Sequence, residues 1–372
     1  MLPGGLFSPA AVVLYLAGMS TYALKLRGTK RKRSREEGGH LPAALAPLGW
    51  HLPAALAPLG CEVEVTVEHE KSTDTLTRPR PGRSPVDLAV YRWRQLSRSG
   101  VKGVIVLLHG LNGHAEFGSN INTAHHLLNG GYHVVALDLE GHGRSGGTPG
   151  LVPLIEEHLV ADVVALLVLT RQQHPGMPVF LMGNSMGGLT ATLTALAVQD
   201  SGQDLLSGVV LQCPLVQFSH PPSPMLVALC SLLAGVAPHL PLFPHSPGKG
   251  TTAEVASRVR AAMQADAFCY TGPVRVGTAV ALHRAAAKAA ARIGELRLPF
   301  FVQHGDEDPL VALAGSVKLH SQAVAADKRM AVYANAGHNL LNEKEEVLHA
   351  VRKDYMQWLD ARVDSSYMSS QL

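Results

Sequence analysis

Residues 178–190, PVFLMGNSMGGLT, constrain the fold more than any other stretch of the chain. An apolar run meets glycines and passes at once into a helix-forming segment, TATLTALAVQ, as a buried strand does when it turns sharply into a helix. Ser185 stands at the apex, at the strand's carboxyl end. Gly183 and Gly187 suit such a turn because a side chain at either place would collide with neighbouring backbone. A helix that begins directly behind the serine also aims free N–H groups at it, which favours negative charge developing there. A chain with 36 glycines meets the pentapeptide G-x-S-x-G by chance often enough that its surroundings must carry the argument.

Those surroundings alternate between buried strands and helices. Residues 101–108 (VKGVIVLL) read as a fully buried strand, followed by the loop His109-Gly110-Leu111-Asn112-Gly113-His114. A helical stretch near 123–128 leads to a strand at 132–139, and a long helix at 154–170 precedes the strand that carries Ser185. Further strands follow at 208–216, 299–303 and 329–333, and an amphipathic helix closes the fold at 344–362. Ahead of them, residues 62–71 (EVEVTVEHEK) alternate as a half-exposed strand does, and after a Pro/Arg/Ser loop residues 87–95 supply its hairpin partner. The expected class is α/β, with a mostly parallel sheet of eight strands covered by helices on both faces.

Between the strands at 208 and 299 lies an insertion, residues 217–293. From Leu205 to Gly248 the chain has no Asp, Glu, Lys or Arg. The segment 225–236 (MLVALCSLLAGV) is too short to span a bilayer, and it enters directly after a strand's carboxyl end, where open α/β sheets place their ligand crevice. An apolar helical cap over the site is expected there.

Composition excludes several classes. The formal net charge of +3 misleads, because seven basic residues fall between Lys25 and Arg35, leaving 25 basic against 27 acidic side chains in residues 40–372. No basic face for nucleic acid is expected in the body. Cys61, Cys213, Cys230 and Cys269 show no paired spacing, and no metal motif or phosphate-cradling glycine loop occurs, so neither metal nor cofactor is expected.

The first 39 residues stand apart. Residues 6–24 carry no charge and the basic run follows directly, the order of an anchor whose downstream domain stays on the cytoplasmic side. An organellar (plastid-type) transit segment, a nuclear signal and a plain tail compete with that reading. The linker at 40–61 repeats HLPAALAPLG letter for letter and is read as low complexity; residues 364–372 are read as a flexible tail.

A nucleophilic Ser185 needs a base, since a free serine hydroxyl is a poor nucleophile at neutral pH. His338 follows the final strand in a glycine-bearing loop, Asn335-Ala336-Gly337-His338, which places it at the sheet edge that carries Ser185. The base needs a carboxylate, and Asp306, Glu307 and Asp308 all follow the preceding strand. The order Ser185, Asp308, His338 is the one expected on an α/β-hydrolase sheet. Main-chain N–H groups of Leu111 and Met186 are the expected donors for an oxyanion. His304, His109 and His142 are read as turn or packing residues, and His349 as facing away on the last helix.

On the motifs His109-Gly110, LDLEGHGRS at 137–145, Gly183-Asn184-Ser185-Met186-Gly187-Gly188, His304-Gly305-x-x-Asp308, the cap's Tyr270-Thr271-Gly272 with Arg275-Val276-Gly277-Thr278, and GHNLLNE at 337–343 leading to Trp358-Leu359, residues 62–363 resemble a known family. It is the plant and algal type of monoacylglycerol lipase, the lysophospholipase-like and caffeoylshikimate-esterase-like branch of the α/β-hydrolases. The resemblance implies Ser185 as nucleophile, Asp308 as acid, His338 as base and Leu111 with Met186 as oxyanion donors. It implies a lipid-like ester as substrate, a monoacylglycerol or lysophospholipid. A phenylpropanoid ester, acyl transfer to an alcohol, and a silent receptor or scaffold are the other readings. Asn184 departs from the pattern, where Glu or His is common, and the Asp306-Glu307-Asp308 cluster is unusually acidic.

Overall fold

A computed structural model describes residues 26–33, 63–96, 100–152, 154–244 and 253–369. In chain order the strands are β1 (Leu26–Arg33), β2 (His69–Arg80), β3 (Arg83–Gln95), β4 (Gly103–Leu108), β5 (Tyr132–Leu137), β6 (Val179–Asn184), β7 (Gly208–Gln212), β8 (Pro241–Phe243), β9 (Val274–Arg275), β10 (Phe300–Gly305) and β11 (Lys328–Tyr333). The helices are α1 (Gly118–Asn129), α2 (Ala161–Gln173, entered through a π turn at Ile155–Val160), α3 (Met186–Ser201), α4 (Pro224–Val236), α5 (Ala253–Ala265), α6 (Val276–Arg292), α7 (Leu313–Gln322) and α8 (Glu345–Ser369).

The main sheet runs β1-β2-β3-β5-β4-β6-β7-β10-β11. From β5 to β11 it is parallel, as fully apolar strands such as GVIVLL demand when both faces are covered. One face packs against α2, α3 and α6 and the other against α1 and α8. Seven of the eight expected strands lie where the sequence places them, and the strand expected at 62–71 is displaced to His69–Arg80. A ninth, β1, comes from the basic run and pairs antiparallel with β2, covering an edge whose backbone groups would otherwise be unpaired.

The hairpin differs from the reading of the sequence. Its strands are β2 and β3, and its turn is Pro81-Gly82, closed by the pair Arg80↔Arg83. Gly82 has φ +72°, which a proline–glycine turn needs at its second position. The alternating residues 63–67 instead run beside α1, with Thr66 N–H on Asn129 Oδ1 at 2.9 Å and Asn129 Nδ2 on the Glu64 carbonyl at 2.7 Å. Val65 and Val67 alternate because they pack on the core, not because of a ladder.

The arginines that made the segment look like a loop are buried. Arg80 holds Asp162 through both Nη atoms, at 2.9 and 2.5 Å, and Glu140 through Nε at 2.8 Å, while Arg78 Nε reaches Asp162 at 2.9 Å. This network bolts the hairpin to the start of α2.

The insertion is built on α6. Its Ala281, Leu282, Ala285, Ala286 and Ala289 belong to the main core, so the end of the expected cap segment is also scaffold. Helix α4, capped by Ser223 Oγ, rests on α6 through Cys230, Val276 and Val280. It is far less covered than its apolar sequence leads one to expect: Met225, Leu232 and Val236 are 82, 75 and 83% exposed. Nothing among the described residues is stacked above it. Helix α8 runs on through Ser369, into residues read as a flexible tail, since no Gly or Pro interrupts it.

No helix of the described residues is long and apolar enough to cross a membrane. The apolar segment 6–24 and the duplicated linker lie outside the described residues. Removing the carboxylate that Arg78 and Arg80 share leaves Arg80 with Glu140 alone and the buried Arg78 guanidinium without its counter-ion. Asp162→Ala is therefore expected to lower stability by about 3–5 kcal/mol, read as a lower urea midpoint at unchanged slope.

Candidate active site

Strand β6 delivers Ser185 into a backbone conformation that few non-glycine residues adopt, φ 55° and ψ −114°. Such a residue costs on the order of 1–3 kcal/mol and persists only when its surroundings hold it. Here Ser185 N–H donates to the Gln212 carbonyl of β7 at 2.9 Å, and the Ser185 carbonyl accepts from Leu189 N–H at 2.9 Å. The helix behind it passes so close to β4 that a Cβ on Gly187 would lie 2.5 Å from the Leu108 carbonyl oxygen. A Cβ on Gly183 would lie 2.3 Å from the Gly187 oxygen. Both glycines are required by contact with backbone, which cannot step aside.

His338 arrives from the loop after β11. Its Nε2 lies 2.7 Å from Ser185 Oγ, and its Nδ1 lies 2.6 Å from Asp308 Oδ2. With a carboxylate on Nδ1, that nitrogen carries the proton and Nε2 accepts from the serine hydroxyl. Gly337 N–H donates to Glu343 Oε1 at 3.0 Å, so a buried carboxylate six residues on steadies the loop.

Of the three acids after β10, only Asp308 turns inward; Asp306 and Glu307 are exposed. Asp308 Oδ1 accepts from Leu310 and Val311 N–H at 2.8 and 2.9 Å. Burial alone would raise its carboxyl, but hydrogen bonds from His304, His338 and Val311 outweigh burial and hold it well below the usual carboxylate range.

His304, read from sequence as a turn or packing residue, is fully buried against this carboxylate, with Nε2 3.3 Å from Asp308 Oδ2. Ser316 Oγ lies 2.7 Å from its Nδ1 and the Val311 carbonyl 3.2 Å from its Nε2, so Nε2 carries the proton. The buried Cys213 thiol also faces Asp308. The spacing H-G-x-x-D was the one signal in the sequence that could have pointed to the His304 contact.

Leu111 and Met186 line the same cavity as Ser185 and His338, and among the described residues no acceptor engages either N–H. His109 sets the loop that carries Leu111. Leu139 N–H donates to its Nε2 at 3.0 Å, and its Nδ1 donates to the Gly110 carbonyl at 2.8 Å. Both ring nitrogens are thus committed and the ring is neutral. The carboxylate of Asp138 grips the far end of the loop, accepting from Ala115 N–H at 2.7 Å, Tyr91 OH at 2.9 Å and Arg144 N–H at 2.9 Å. His349 pairs with Glu345 on the exposed side of α8, away from the site.

The cavity over Ser185 measures about 330 Å³ and runs between the two loops and the insertion. A second cavity of about 270 Å³, walled by Leu226, Cys230, Phe243 and Val280, shares Leu111, Phe218, Val274 and Leu282 with it. A strained serine, a histidine hydrogen-bonded to it and two free N–H groups around one cavity are the parts needed for acyl transfer.

Burial pushes His109 down to about 4 and His142 down to about 3. Unfolded histidine titrates near 6.5, so below that pH the unfolded chain binds protons that the folded chain refuses. Their contribution is complete above about pH 6.5 and falls as the pH drops, by about 1.4 kcal/mol per pH unit for each ring, until the folded values are reached. Urea midpoints at pH 7.5, 6 and 5 should decline in that order, and a flat series would contradict the neutral assignment.

Residues 99–345 match the family described as serine aminopeptidase, S33. The monoacylglycerol lipase of Mycolicibacterium smegmatis is 33% identical over 261 residues, 69% of this chain and 88% of that one. The caffeoylshikimate esterase of Arabidopsis thaliana is 29% identical over 273 residues, 71% of this chain and 79% of its own length. Among solved structures, a soluble variant of the Saccharomyces cerevisiae monoglyceride lipase in complex with a substrate analogue superposes with a TM-score of 0.64 at 20% identity, covering 85% of this chain and 99% of that one. The architecture is thus that of an α/β-hydrolase, and the chain belongs to the serine aminopeptidase S33 family.

Proposed function

We propose that this chain is a serine carboxylic-ester hydrolase that cleaves lipid-like esters, monoacylglycerols above all, through an acyl-enzyme. The observation that carries the reading is the unbroken hydrogen-bonded series from Ser185 Oγ through His338 to Asp308, beneath two unengaged main-chain N–H groups. Similarity to a monoacylglycerol lipase over most of both chains supports the substrate class.

The chemistry follows from the positions. As Ser185 Oγ bonds to the ester carbonyl carbon, its proton passes to His338 Nε2, and Asp308 balances the imidazolium so formed. The carbonyl oxygen gains the negative charge and is met by the N–H groups of Leu111 and Met186, where each such donor is worth on the order of 3 kcal/mol. His338 then gives its proton to the departing alcohol oxygen, leaving the acyl group on Ser185. Water repeats the sequence, and the carboxylic acid leaves with the serine restored. The second cavity, lined by aliphatic and aromatic side chains, suits the hydrocarbon of the acyl chain.

The same reading brings the enzyme to a lipid surface. Helix α4 walls the apolar cavity with Leu226, Val227 and Cys230 and leaves Met225, Leu229 and Leu232 exposed, and the uncharged segment 6–24 is nearly long enough to span, with the hydrolase on the cytoplasmic side.

Two experiments test these statements. Ser185→Ala should abolish turnover of a long-chain monoacylglycerol and labelling by a serine-reactive phosphonate, and Asp308→Asn should lower kcat about 10⁴-fold; wild-type rates in either would end the assignment. Residues 1–39 fused to a fluorescent protein should sediment with membranes, and a wholly soluble fusion would refute the anchor.

A further inference from the structure

Apart from the catalytic residues, His114, Asp266 and Cys269 form a second cluster of metal-ligating side chains. One donor atom of each lies within 4.8 Å of the donor atoms of the other two. They come from two distant parts of the chain. His114 belongs to the loop that carries Leu111, whereas Asp266 and Cys269 lie directly after α5, whose Val259 and Met263 line the cavity over Ser185. No spacing motif marks the group, because 152 positions separate His114 from Asp266.

Each segment is already fixed. The His114 carbonyl accepts from Asn120 Nδ2 at 2.7 Å and from Phe117 N–H at 3.2 Å, and the rings of Phe117 and Phe268 flank the imidazole with centres 6.1 and 5.9 Å away. Asp266 Oδ1 accepts from Phe268 N–H at 2.8 Å, and the Asp266 carbonyl accepts from Cys269 N–H at 3.1 Å. This turn leaves Oδ2 and the thiol beside the imidazole, with Oδ2 2.8 Å from His114 Nε2. Metal ligands are held by outer groups in just this manner.

The hydrogen bond between His114 and Asp266 accounts for two of the three side chains and leaves the third. Cys269 is 9% exposed, and its sulfur makes no hydrogen bond to a described residue. Burial pushes the thiol up, and the carboxylates of Asp266 and Asp138 push it further. The same carboxylates favour a cation at that place. Arg144, 4.0 Å from the centre of the Phe268 ring, and Lys71 are the basic side chains that pair with Glu116 beside it.

A thiolate, a carboxylate and a neutral imidazole carry two negative charges, which cancel those of a divalent ion, and a buried centre needs that balance. A mixed sulfur, nitrogen and oxygen set suits zinc and its cobalt substitute, whereas calcium and magnesium take oxygen. Tetrahedral zinc separates such donors by roughly 3.3–3.6 Å, so the imidazole and carboxylate need part by only about half an ångström. The Asp266 side chain is 11% exposed, which leaves a fourth position to water.

We propose that His114, Asp266 and Cys269 form a binding site for one zinc ion, which joins the insertion to the loop that carries the oxyanion donor Leu111. On binding, the Cys269 thiol gives its proton to solvent, and the imidazole keeps one proton on the nitrogen turned away from the ion. The His114–Asp266 hydrogen bond is exchanged for two bonds to the metal, and Cys269 adds a third. The site goes beyond the ester-hydrolase reading and does not depend on it.

Cobalt reports the thiolate directly. The full chain, reduced, freed of metal by a chelator and titrated with Co2+, should develop a near-ultraviolet sulfur-to-cobalt band that saturates at one equivalent and is displaced by Zn2+. Cys269→Ser and Cys269→Ala should lose that band, and Asp266→Asn should need more cobalt to reach it. Zn2+ should raise the melting temperature of the wild-type chain and leave that of the Cys269 variants unchanged, while melting without metal shows that the variants fold. Cys213 stands equally close to Asp308 and His338, so Cys213→Ser, which should keep the band, separates the two clusters. A wild-type chain without the band, or a band that survives in a folded Cys269 variant, would overturn the site.

Discussion

The close passage of α3 beneath β4 is the constraint on which the site depends. Only because Gly187 has no side chain can the helix run within contact of the Leu108 and His109 carbonyls. That contact forces the chain to reverse within one residue, and the residue is Ser185. The strain at its φ of 55° is balanced by hydrogen bonds to β7 and into α3, so the hydroxyl is held clear of the sheet without help from its own side chain. His338 and Asp308 then need only reach a point that the backbone has already settled.

Around that point the protein favours polar groups whose hydrogen bonds are fully committed. His109 cannot gain a proton without losing the Leu139 N–H, and His304 sits between Ser316 and Asp308 with both nitrogens in use. Asp308 is the counter-example, a carboxylate kept ionised by several donors in a buried place. The contrast is functional. Charge is maintained where the imidazolium will form, and the loop that meets the oxyanion is fixed by neutral groups that do not compete for it.

Much of this was legible before any coordinates. The strand–turn–helix around Ser185 announces itself through glycines at fixed offsets, because backbone collision permits nothing else there. A parallel sheet, which brings every strand's carboxyl end to one rim, put His338 and one of the acids at 306–308 there, and the family resemblance singled out Asp308. The hairpin was misplaced because Arg78 and Arg80 are polar letters that read as solvent, whereas the acid that buries them, Asp162, is about eighty residues away. Helix α4 shows the opposite limit of reading polarity from letters. Its apolar letters read as burial, but burial needs something to lie above it, and composition cannot say whether anything does.

By itself, then, the sequence determined what depends on local sterics and on period: the class of sheet, the nucleophile's turn, and the order in which serine, acid and base return to the rim. Only the tertiary structure decided what depends on which distant groups meet. His304 became a partner of Asp308, and a basic run before the linker became an edge strand. Local geometry is encoded within a few residues of itself, whereas the pairing of buried polar groups is settled by the packing of the whole chain.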